Sequence, residues 1–240
     1  MSSVKPYSTD KSKKEEVAEM FNNISPSYDF LNRFLSMGID IGWRKKTVRA
    51  VSELMPKRIL DVATGTADLA IALSETTATS IVGCDISEGM MEIGKKKVAK
   101  KGLSNLISFK LGDSERLPFD DNSFDATTIS FGVRNFENPL QGLKDVHRVL
   151  RTGGKIFVLE FSQPQVFPAK QLYHFYSKFV MPFLGRLISK DKAAYTYLPD
   201  SIKAFPHGQA FLYLMANAGF KNNSAKKLTF GIASLYIGEK

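Results

Sequence analysis

Between residues 58 and 162, short runs of β-branched and apolar residues alternate with longer segments whose apolar positions recur at helical spacing. Five runs predict strands, in the order RILDVA, TSIVGCD, LISFKLGD, FDATTISF and GGKIFVLEFS. The connecting segments TADLAIALSE, SEGMMEIGKKKVAKK and NPLQGLKDVHRVLR predict helices. Such alternation is typical of a mostly parallel sheet with helices on both faces. The last stretch, KKLTFGIASLYIGEK, alternates around a turn at Gly231 and predicts a closing strand pair.

Two regions with a helical pattern lie outside this alternating core. Ligands of open α/β sheets bind at the carboxyl ends of the strands, and added helices commonly cover that edge. We therefore expect one α/β domain over residues 1–240. Its parts are a helical lid at residues 13–54, a ligand-binding core at 58–162, a helical substrate and lid region at 165–218, and closing strands at 221–240.

Composition narrows the class of protein. The formal net charge of +9 and an isoelectric point near 9.5 suit nucleic acid, an anionic lipid surface or an acidic substrate. The only cysteine, Cys84, lies in the apolar run IVGC, which predicts a small buried residue and no metal site. The N-terminus is polar and lysine-rich, and no apolar run reaches the roughly 18 residues of a membrane span. We therefore expect a cytoplasmic protein.

The turn after the first predicted strand, DVATGTADLA, carries small residues at every second position, which lets backbone approach a ligand closely. Gly65 supplies conformational freedom, and the amides around Thr66 lie at the positive end of the following helix. Asp61 would repel a pyrophosphate and would attract the ammonium group of an amino acid. The turn therefore favours an amino-acid-like ligand over a dinucleotide.

Acids follow the next two predicted strands. Asp85 lies twenty residues beyond Gly65, at the position where an acid accepts hydrogen bonds from a ribose diol. Asp113 and Ser114 follow the third strand and are placed to bind the exocyclic amine of adenine, with Met90 and Leu117 as apolar faces. An amino acid joined to adenosine is S-adenosylmethionine, and this is the predicted cofactor.

The chain resembles the UbiE/MenG family of ubiquinone and menaquinone C-methyltransferases over nearly its whole length. The resemblance is carried by YDFLNRFLSMGIDIGWRK, TISFGVRNFENP, GGKIFVLEFSQP and YTYLPDSIKAFP, and SFGVRN followed by LEFSQP is its most specific part. It implies a Rossmann-like class I methyltransferase fold with a seven-stranded sheet and helical lid insertions. It also implies S-adenosylmethionine contacts at Thr66, Asp85, Asp113, Ser114 and Ser130. Ala67 stands where a glycine is common in the family.

The family's chemistry implies a reduced quinol as substrate, because a quinone ring is electrophilic whereas methylation needs a nucleophilic carbon. A phenol with a pKa of about 10 is mostly neutral at pH 7, so the site should hold a cation that favours the phenolate. Arg134, just beyond the fourth strand, is the candidate, and Asn135 could hold a ring oxygen or a water. The alternative is a structural loop arginine that pairs with a nearby acid such as Glu137. The family motif also implies that Tyr28 lines the pocket, against the alternative of a core aromatic.

A quinol substrate carries a long prenyl tail, and we expect this tail to meet residues 165–188, VFPAKQLYHFYSKFVMPFLGRLIS. Basic residues lie between apolar positions that recur at helical spacing: Leu172, Phe175, Tyr176, Phe179, Val180, Phe183, Leu184 and Leu187, with Lys170, Lys178 and Arg186. The segment predicts a wall of the tail pocket or a peripheral contact with the inner face of the cell membrane. An amphipathic core helix kinked at Pro182 is the alternative.

Demethylmenaquinol is the favoured acceptor, because nothing in the chain excludes a bicyclic ring, and 2-polyprenyl-6-methoxy-1,4-benzoquinol remains the alternative. Two other readings compete with a quinol methyltransferase. One is a methyltransferase of a soluble phenol, a sterol or an RNA base, although a base-gripping NPPY-like motif is missing where SFGVRN stands, so we expect no nucleic-acid partner. The other is a non-enzymatic binding protein, and a homodimer is left open.

Overall fold

A seven-stranded sheet forms the centre of the molecule in the computed structural model, which describes residues 4–180 and 192–240. The strands run in the spatial order β3-β2-β1-β4-β5-β7-β6. Their bounds are β1 (Arg58–Val62), β2 (Ser80–Asp85), β3 (Ile107–Leu111), β4 (Phe124–Ser130), β5 (Leu150–Phe161), β6 (Lys221–Leu228) and β7 (Ala233–Glu239). Strands β1 to β5 are parallel, and β7 pairs antiparallel with both β5 and β6. The predicted mostly parallel sheet and closing strand pair are confirmed.

Eight α-helices accompany the sheet within the described residues. They are α1 (Lys13–Leu35), α2 (Ile39–Ser52), α3 (Asp68–Ala72), α4 (Glu88–Lys100), α5 (Pro139–Val149), α6 (Ala169–Phe175), α7 (Lys192–Ala204) and α8 (Gln209–Asn217). Helix α1 begins at a capping box in which the side chains of Ser12 and Glu15 satisfy each other's backbone N–H groups. A π-helical turn, Tyr176–Val180, continues α6. None of these helices has the length and hydropathy that would let it cross a membrane.

The core has two halves because successive residues of a strand point to opposite faces. On one face, Leu60 and Val62 of β1 pack with apolar residues of α5 and α8. On the other face, Ile59 packs with residues of α2, α3 and α4. Strands buried on both sides read as the continuous apolar runs seen in the sequence. Cys84 is buried, as predicted.

The predicted tail segment is described only in part. Helix α6 and the π turn cover its first half, and its side chains there are partly or fully exposed where the structure describes them. Phe183, Leu184, Leu187, Arg186 and the kink at Pro182 lie outside the described residues, as do the side chains of Lys178 and Val180.

Candidate active site

The loop after β1 is shaped by backbone in the left-handed region. Ala63, Gly65 and Ala67 have φ values of 53°, 55° and 65°. This conformation carries a cost for an alanine, and such strain concentrates at ligand sites. Ala67 adopts the left-handed backbone that a glycine would adopt with less strain, and it is fully buried. The loop therefore forms without the glycine that is common at this position in the family.

Asp61 stabilises this loop through hydrogen bonds from inside the fold. Its carboxylate accepts hydrogen bonds from the hydroxyls of Thr64, at 2.7 Å, and Thr128, at 2.5 Å. Only 1% of the residue is exposed, and burial raises the pKa of its carboxyl to about 6. Asp61 therefore lies under the loop with both carboxylate oxygens bonded to threonine hydroxyls, and its contact with the ammonium group stays a prediction.

Asp85 ties the end of β2 to the same loop. One carboxylate oxygen accepts the Gly65 N–H at 2.7 Å, and the other accepts the Ser87 N–H at 2.8 Å. Desolvation raises the pKa of the carboxyl, and these two backbone donors oppose the shift. The side chain is partly exposed and borders a narrow cavity of about 60 Å³.

This cavity, here called the acidic cavity, brings together six of the eight predicted cofactor contacts. They are Gly65, Asp85, Met90, Asp113, Ser114 and Ser130. Thr66 is not among the lining residues, since it is buried and its hydroxyl donates to Asp29 of α1 at 2.5 Å. Leu117 also lies elsewhere, in the core. The carboxyl ends of four neighbouring strands, β3, β2, β1 and β4, thus meet at one edge, as the strand order requires.

Helix α1 covers the acidic cavity through polar contacts. The Lys14 ammonium lies 2.6 Å from the Asp113 carboxylate. The buried Lys13 ammonium donates to the carbonyl oxygens of Arg134 and Phe136, each at 2.9 Å. Burial lowers the pKa of Lys13 to about 8. The first turn of α1 therefore joins the loops that follow β3 and β4.

The charge of the acidic cavity fits a cationic cofactor. Four carboxylates line it, from Asp85, Asp113, Glu115 and Glu137, against the single ammonium of Lys14. Such a surface attracts a sulfonium and an ammonium group and repels a pyrophosphate. Two of the acids follow successive strands, where a ribose diol and an adenine amine can each find an acceptor. The residues present therefore fit S-adenosylmethionine.

A second, apolar cavity of about 510 Å³ adjoins the first. Its walls come mainly from α1, α2, α6 and α7, and apolar side chains make up most of its surface. Phe21, Tyr28 and Phe131 line both cavities. A group bound in one cavity can therefore meet a group bound in the other at these three residues.

Arg134 reaches the apolar cavity from the turn after β4. One of its terminal nitrogens donates to the Glu160 carboxylate at 3.0 Å and also to the carbonyl of Phe131. The guanidinium lies 5.4 Å from the centre of the Phe161 ring, and its Nε has no hydrogen-bond partner among the described residues. Arg134 therefore pairs with an acid, as in the alternative, but that acid is Glu160, whereas Glu137 accepts the backbone N–H of Lys13 at 3.2 Å. Glu160 thus fixes one terminal nitrogen of Arg134, and the Nε of the same side chain can donate a hydrogen bond to a bound molecule.

Tyrosines surround this arginine. The Tyr197 hydroxyl donates to the Asn135 side-chain oxygen at 3.1 Å, which turns the Asn135 amide nitrogen away from Tyr197. Burial raises the pKa values of Tyr173 and Tyr197 to about 12, although the charge of Arg134 opposes both shifts. Burial likewise raises the pKa of Tyr28. At neutral pH these side chains are therefore hydroxyl donors and not phenolates.

Three residues of this arrangement are missing from the sequence-based predictions. Glu160 is fully buried and accepts from both the backbone and the side chain of Arg134. A glutamate inside the apolar run FVLEF is a detectable signal, because a buried carboxylate needs a partner. Lys13 and Tyr197 carry no comparable signal, because their contacts join residues more than 60 positions apart.

The chain is similar in sequence to known methyltransferases over nearly its whole length. Residues 9–240 match the ubiE/COQ5 methyltransferase family. A demethylmenaquinone methyltransferase from Bacteroides fragilis is 50% identical over 99% of this chain and 97% of its own length. A ubiquinone/menaquinone biosynthesis C-methyltransferase UbiE from Geotalea daltonii is 48% identical over 95% of this chain and 97% of its own.

Among solved structures, a SAM-dependent methyltransferase from Thermotoga maritima matches with a TM-score of 0.65 and 20% identity, over 92% of this chain and 98% of that one. This likeness confirms the predicted Rossmann-like class I methyltransferase fold. The family match confirms the resemblance carried by SFGVRN and LEFSQP. The chain therefore belongs to the ubiE/COQ5 methyltransferase family, and its methyl donor is S-adenosylmethionine.

Proposed function

We propose that this protein transfers a methyl group to a ring carbon of a prenylated quinol, converting demethylmenaquinol to menaquinol. The observation that carries the proposal is the position of Arg134, a buried cation at an apolar cavity that adjoins the acidic one. The names of the Bacteroides fragilis and Geotalea daltonii relatives support the choice of a quinol.

When bound, S-adenosylmethionine would supply an electrophilic methyl group. Arg134 stabilises the phenolate form of the quinol once the hydroxyl proton has passed to water, and the ortho carbon then attacks that methyl group. The methyl–sulfur bond breaks, S-adenosylhomocysteine leaves, and the ring proton at the attacked carbon is lost to water as the ring regains aromaticity. Glu160 holds Arg134 in place, and its negative charge keeps the buried guanidinium paired when the quinol is absent. Asn135 presents its amide nitrogen to a ring oxygen or to a water. Tyr28 borders both cavities and packs against the ring at the reacting edge.

Alignment of the two reactants supplies much of the rate in this proposal. Holding two reactants in an attacking geometry can lower a barrier by roughly 7 to 11 kcal/mol. The narrow junction at Phe21, Tyr28 and Phe131 imposes that alignment. A strong dedicated base is then unnecessary for attack, because the nucleophile is already an anion stabilised by Arg134.

A benzoquinol is the second candidate acceptor. The name of the Geotalea daltonii relative covers both ubiquinone and menaquinone biosynthesis, and the apolar cavity has room for either ring. In this reaction 2-polyprenyl-6-methoxy-1,4-benzoquinol would receive the methyl group by the same chemistry. The same residues would serve both acceptors.

One further prediction accompanies the proposed reaction. It is peripheral contact of residues 165–188 with the inner face of the cell membrane, where a prenylated substrate resides. The exposed apolar side chains of α6, with Lys170 among them, support the membrane contact.

The test is methyl transfer from labelled S-adenosylmethionine to short-tailed demethylmenaquinone and to the demethylated methoxybenzoquinone, each chemically reduced. The matched control is each quinone in its oxidised form, which should accept no label because its ring is electrophilic. Transfer to one reduced acceptor alone assigns the substrate, and transfer to both assigns a dual acceptor range. Intact cofactor binding with no transfer to either quinol contradicts the proposal.

A further inference from the structure

Large apolar side chains are exposed around the mouth of the apolar cavity. Met37, Leu172, Phe175 and Phe230 line this cavity, yet they are 74%, 66%, 58% and 77% exposed. A side chain that both lines a cavity and faces solvent marks the opening. These four residues come from three separate parts of the chain, which are the junction of α1 and α2, helix α6, and the turn between β6 and β7.

Further exposed apolar residues extend this rim outward. Phe30 and Phe34 stack on α1 with ring centres 5.9 Å apart, and Phe175 and Phe179 lie 5.3 Å apart. The Tyr176 hydroxyl donates to the Leu35 carbonyl at 2.5 Å and so joins the α6 segment to the end of α1. Large exposed apolar patches on a protein surface mark interaction sites. We call these residues the rim: Phe30, Phe34, Met37, Ile41, Val166, Phe167, Leu172, Phe175, Phe179 and Phe230.

The turn that presents Phe230 is held in an unfavourable conformation. Thr229 and Phe230 have φ values of 44° and 56°, in the left-handed region that favours glycine. The Thr229 hydroxyl accepts a hydrogen bond from the Trp43 indole at 2.8 Å, which anchors the turn to α2. A bulky residue that is strained and 77% exposed gains little from packing within the fold, and such strain persists mainly at functional sites.

The exposed charges of the segments that carry the rim are positive. Residues 30–49, 163–180 and 225–232 contain one acid, Asp40, which is buried and paired with Arg44. Exposed basic residues in the same segments include Arg33, Lys45, Lys170, Lys226 and Lys227. Aromatic side chains beside exposed basic ones are the combination that binds an anionic bilayer surface.

We propose that the rim docks on an anionic lipid surface and delivers the tail of a membrane-embedded quinol directly into the apolar cavity. The docking surface is then composite, with Phe30 and Phe34 of α1 and Phe230 of the β6–β7 turn joining the α6 side chains. This inference rests on the proposed function for its cargo, but the lipid contact itself is measurable without any substrate. The lipid surface lies at the cavity mouth, so a substrate tail need not cross water.

The experiment compares flotation with phosphatidylcholine vesicles that contain or lack phosphatidylglycerol. The wild-type protein should float with the anionic vesicles. The double variant Phe30→Ser, Phe34→Ser, which lies outside the cavity lining, should lose at least about tenfold in vesicle affinity. The double variant Arg33→Gln, Lys45→Gln should lose about fivefold per charge on anionic vesicles and little on neutral ones. The matched control Met55→Ser removes an equally exposed apolar side chain on another part of the chain and should bind as the wild type does.

Activity assays separate this inference from the proposed function. On a water-soluble, short-tailed quinol, the Phe30, Phe34 variant should keep wild-type turnover, whereas on a long-tailed quinol embedded in vesicles it should lose most of it. Equal vesicle binding by wild type and both double variants overturns the inference.

Equal loss of activity on the soluble and embedded quinols also overturns it, because Phe30 and Phe34 would then stabilise the folded protein instead of binding lipid. A dimer that dissociates in the Phe30, Phe34 variant, without vesicle binding by the wild type, assigns the rim to a second copy of this chain and overturns the lipid proposal. Failure of the wild type on the soluble quinol contradicts the proposed function and leaves the flotation result standing.

Discussion

The acidic cavity and the apolar cavity share three residues but are built in opposite ways. The acidic cavity is formed by strand ends, where Asp85 and Asp113 follow β2 and β3 and backbone N–H groups fix the carboxylate geometry. The apolar cavity is formed mainly by helices that lie outside the alternating core, and the buried ion pair of Arg134 with Glu160 reaches it from the turn after β4. In the proposed function, the strand ends of the sheet hold the cofactor and the added helices hold the acceptor.

The difference implies that the two cavities can be disabled separately. Changes at the strand ends should weaken cofactor binding and leave the chemistry of the bound complex comparatively intact. Changes at the apolar cavity should leave cofactor binding intact and remove turnover. Single substitutions in each cavity measure how far that separation holds.

Arg134→Lys should have the largest effect on turnover. Lysine keeps the positive charge beside Glu160, but it lacks the planar donor set that can hold Glu160 and a phenolate together. We expect the turnover number to fall by about 100- to 1,000-fold, the usual loss when a group that stabilises developing or bound negative charge is removed. Binding of S-adenosylhomocysteine should stay at the wild-type value. Single-turnover transfer to a reduced short-tailed quinol, with calorimetric titration of the cofactor product, checks both statements.

A paired variant controls for folding. Arg134→Met alone leaves Glu160 as an unpaired buried charge, which typically costs about 3 to 5 kcal/mol of stability. Arg134→Met combined with Glu160→Gln removes both charges and should recover most of the thermal stability without recovering turnover. Wild-type turnover in the double variant would show that the cation has no role in the chemistry.

Asp85→Asn should produce the converse result. The amide keeps one acceptor oxygen for the loop but loses the charge and one of the two acceptors for Gly65 and Ser87. Hydrogen bonds to a charged group contribute roughly 1.5 to 3 kcal/mol, so affinity for S-adenosylhomocysteine should fall by about 10- to 100-fold. Turnover at saturating cofactor should change much less. Asp120→Asn, at an exposed acid on another surface, is the control, and an equal loss in both variants would count against a direct cofactor contact.

The two cavities also differ in how far the sequence predicted them. The strand-end residues were predictable, because parallel strands of known order bring their carboxyl ends to one edge, and Asp85, Asp113 and Ser130 each follow or end a strand. Arg134 followed from the family motif and from the chemistry of a phenolate. Tyr197 and Lys13 were not predictable, since their partners are fixed by how α7 and α1 pack on the sheet. Local pattern does not encode that packing.

Tyr197→Phe tests one of these unpredicted contacts. Its hydroxyl donates to the Asn135 side-chain oxygen, so the variant should free the Asn135 amide to rotate. A neutral hydrogen bond contributes about 0.5 to 1.5 kcal/mol, which predicts a 2- to 10-fold loss of turnover with unchanged cofactor affinity. In an Asn135→Ala background the same change should cost almost nothing, because coupled residues are not additive. Tyr173→Phe, which removes another hydroxyl from the same cavity, should instead add fully to Asn135→Ala. Full additivity of Tyr197→Phe with Asn135→Ala would mean that the contact does not orient the amide.

The smallest effect is expected at Lys13, which joins the lid to the turn that carries Arg134. Burial lowers its pKa from 10.5 to about 8, the charge of Arg134 adds to that shift, and Glu115 and Glu137 oppose it. Between pH 8 and 10.5 the unfolded chain therefore binds more protons at this residue than the folded protein, so the free energy of unfolding should rise with pH in that window. Because part of the group is screened by solvent, we expect a gain of only about 1 kcal/mol in the free energy of unfolding.

The reference protein for this measurement is Lys13→Met, which lacks the titrating group but keeps every other lysine and tyrosine. Urea unfolding of both proteins at pH 7.5 and pH 10 gives two differences, and the wild type should gain on the variant as the pH rises. A difference that stays constant with pH would mean that Lys13 is solvated in the folded protein, and that the lid is held at this point by hydrogen-bond geometry alone.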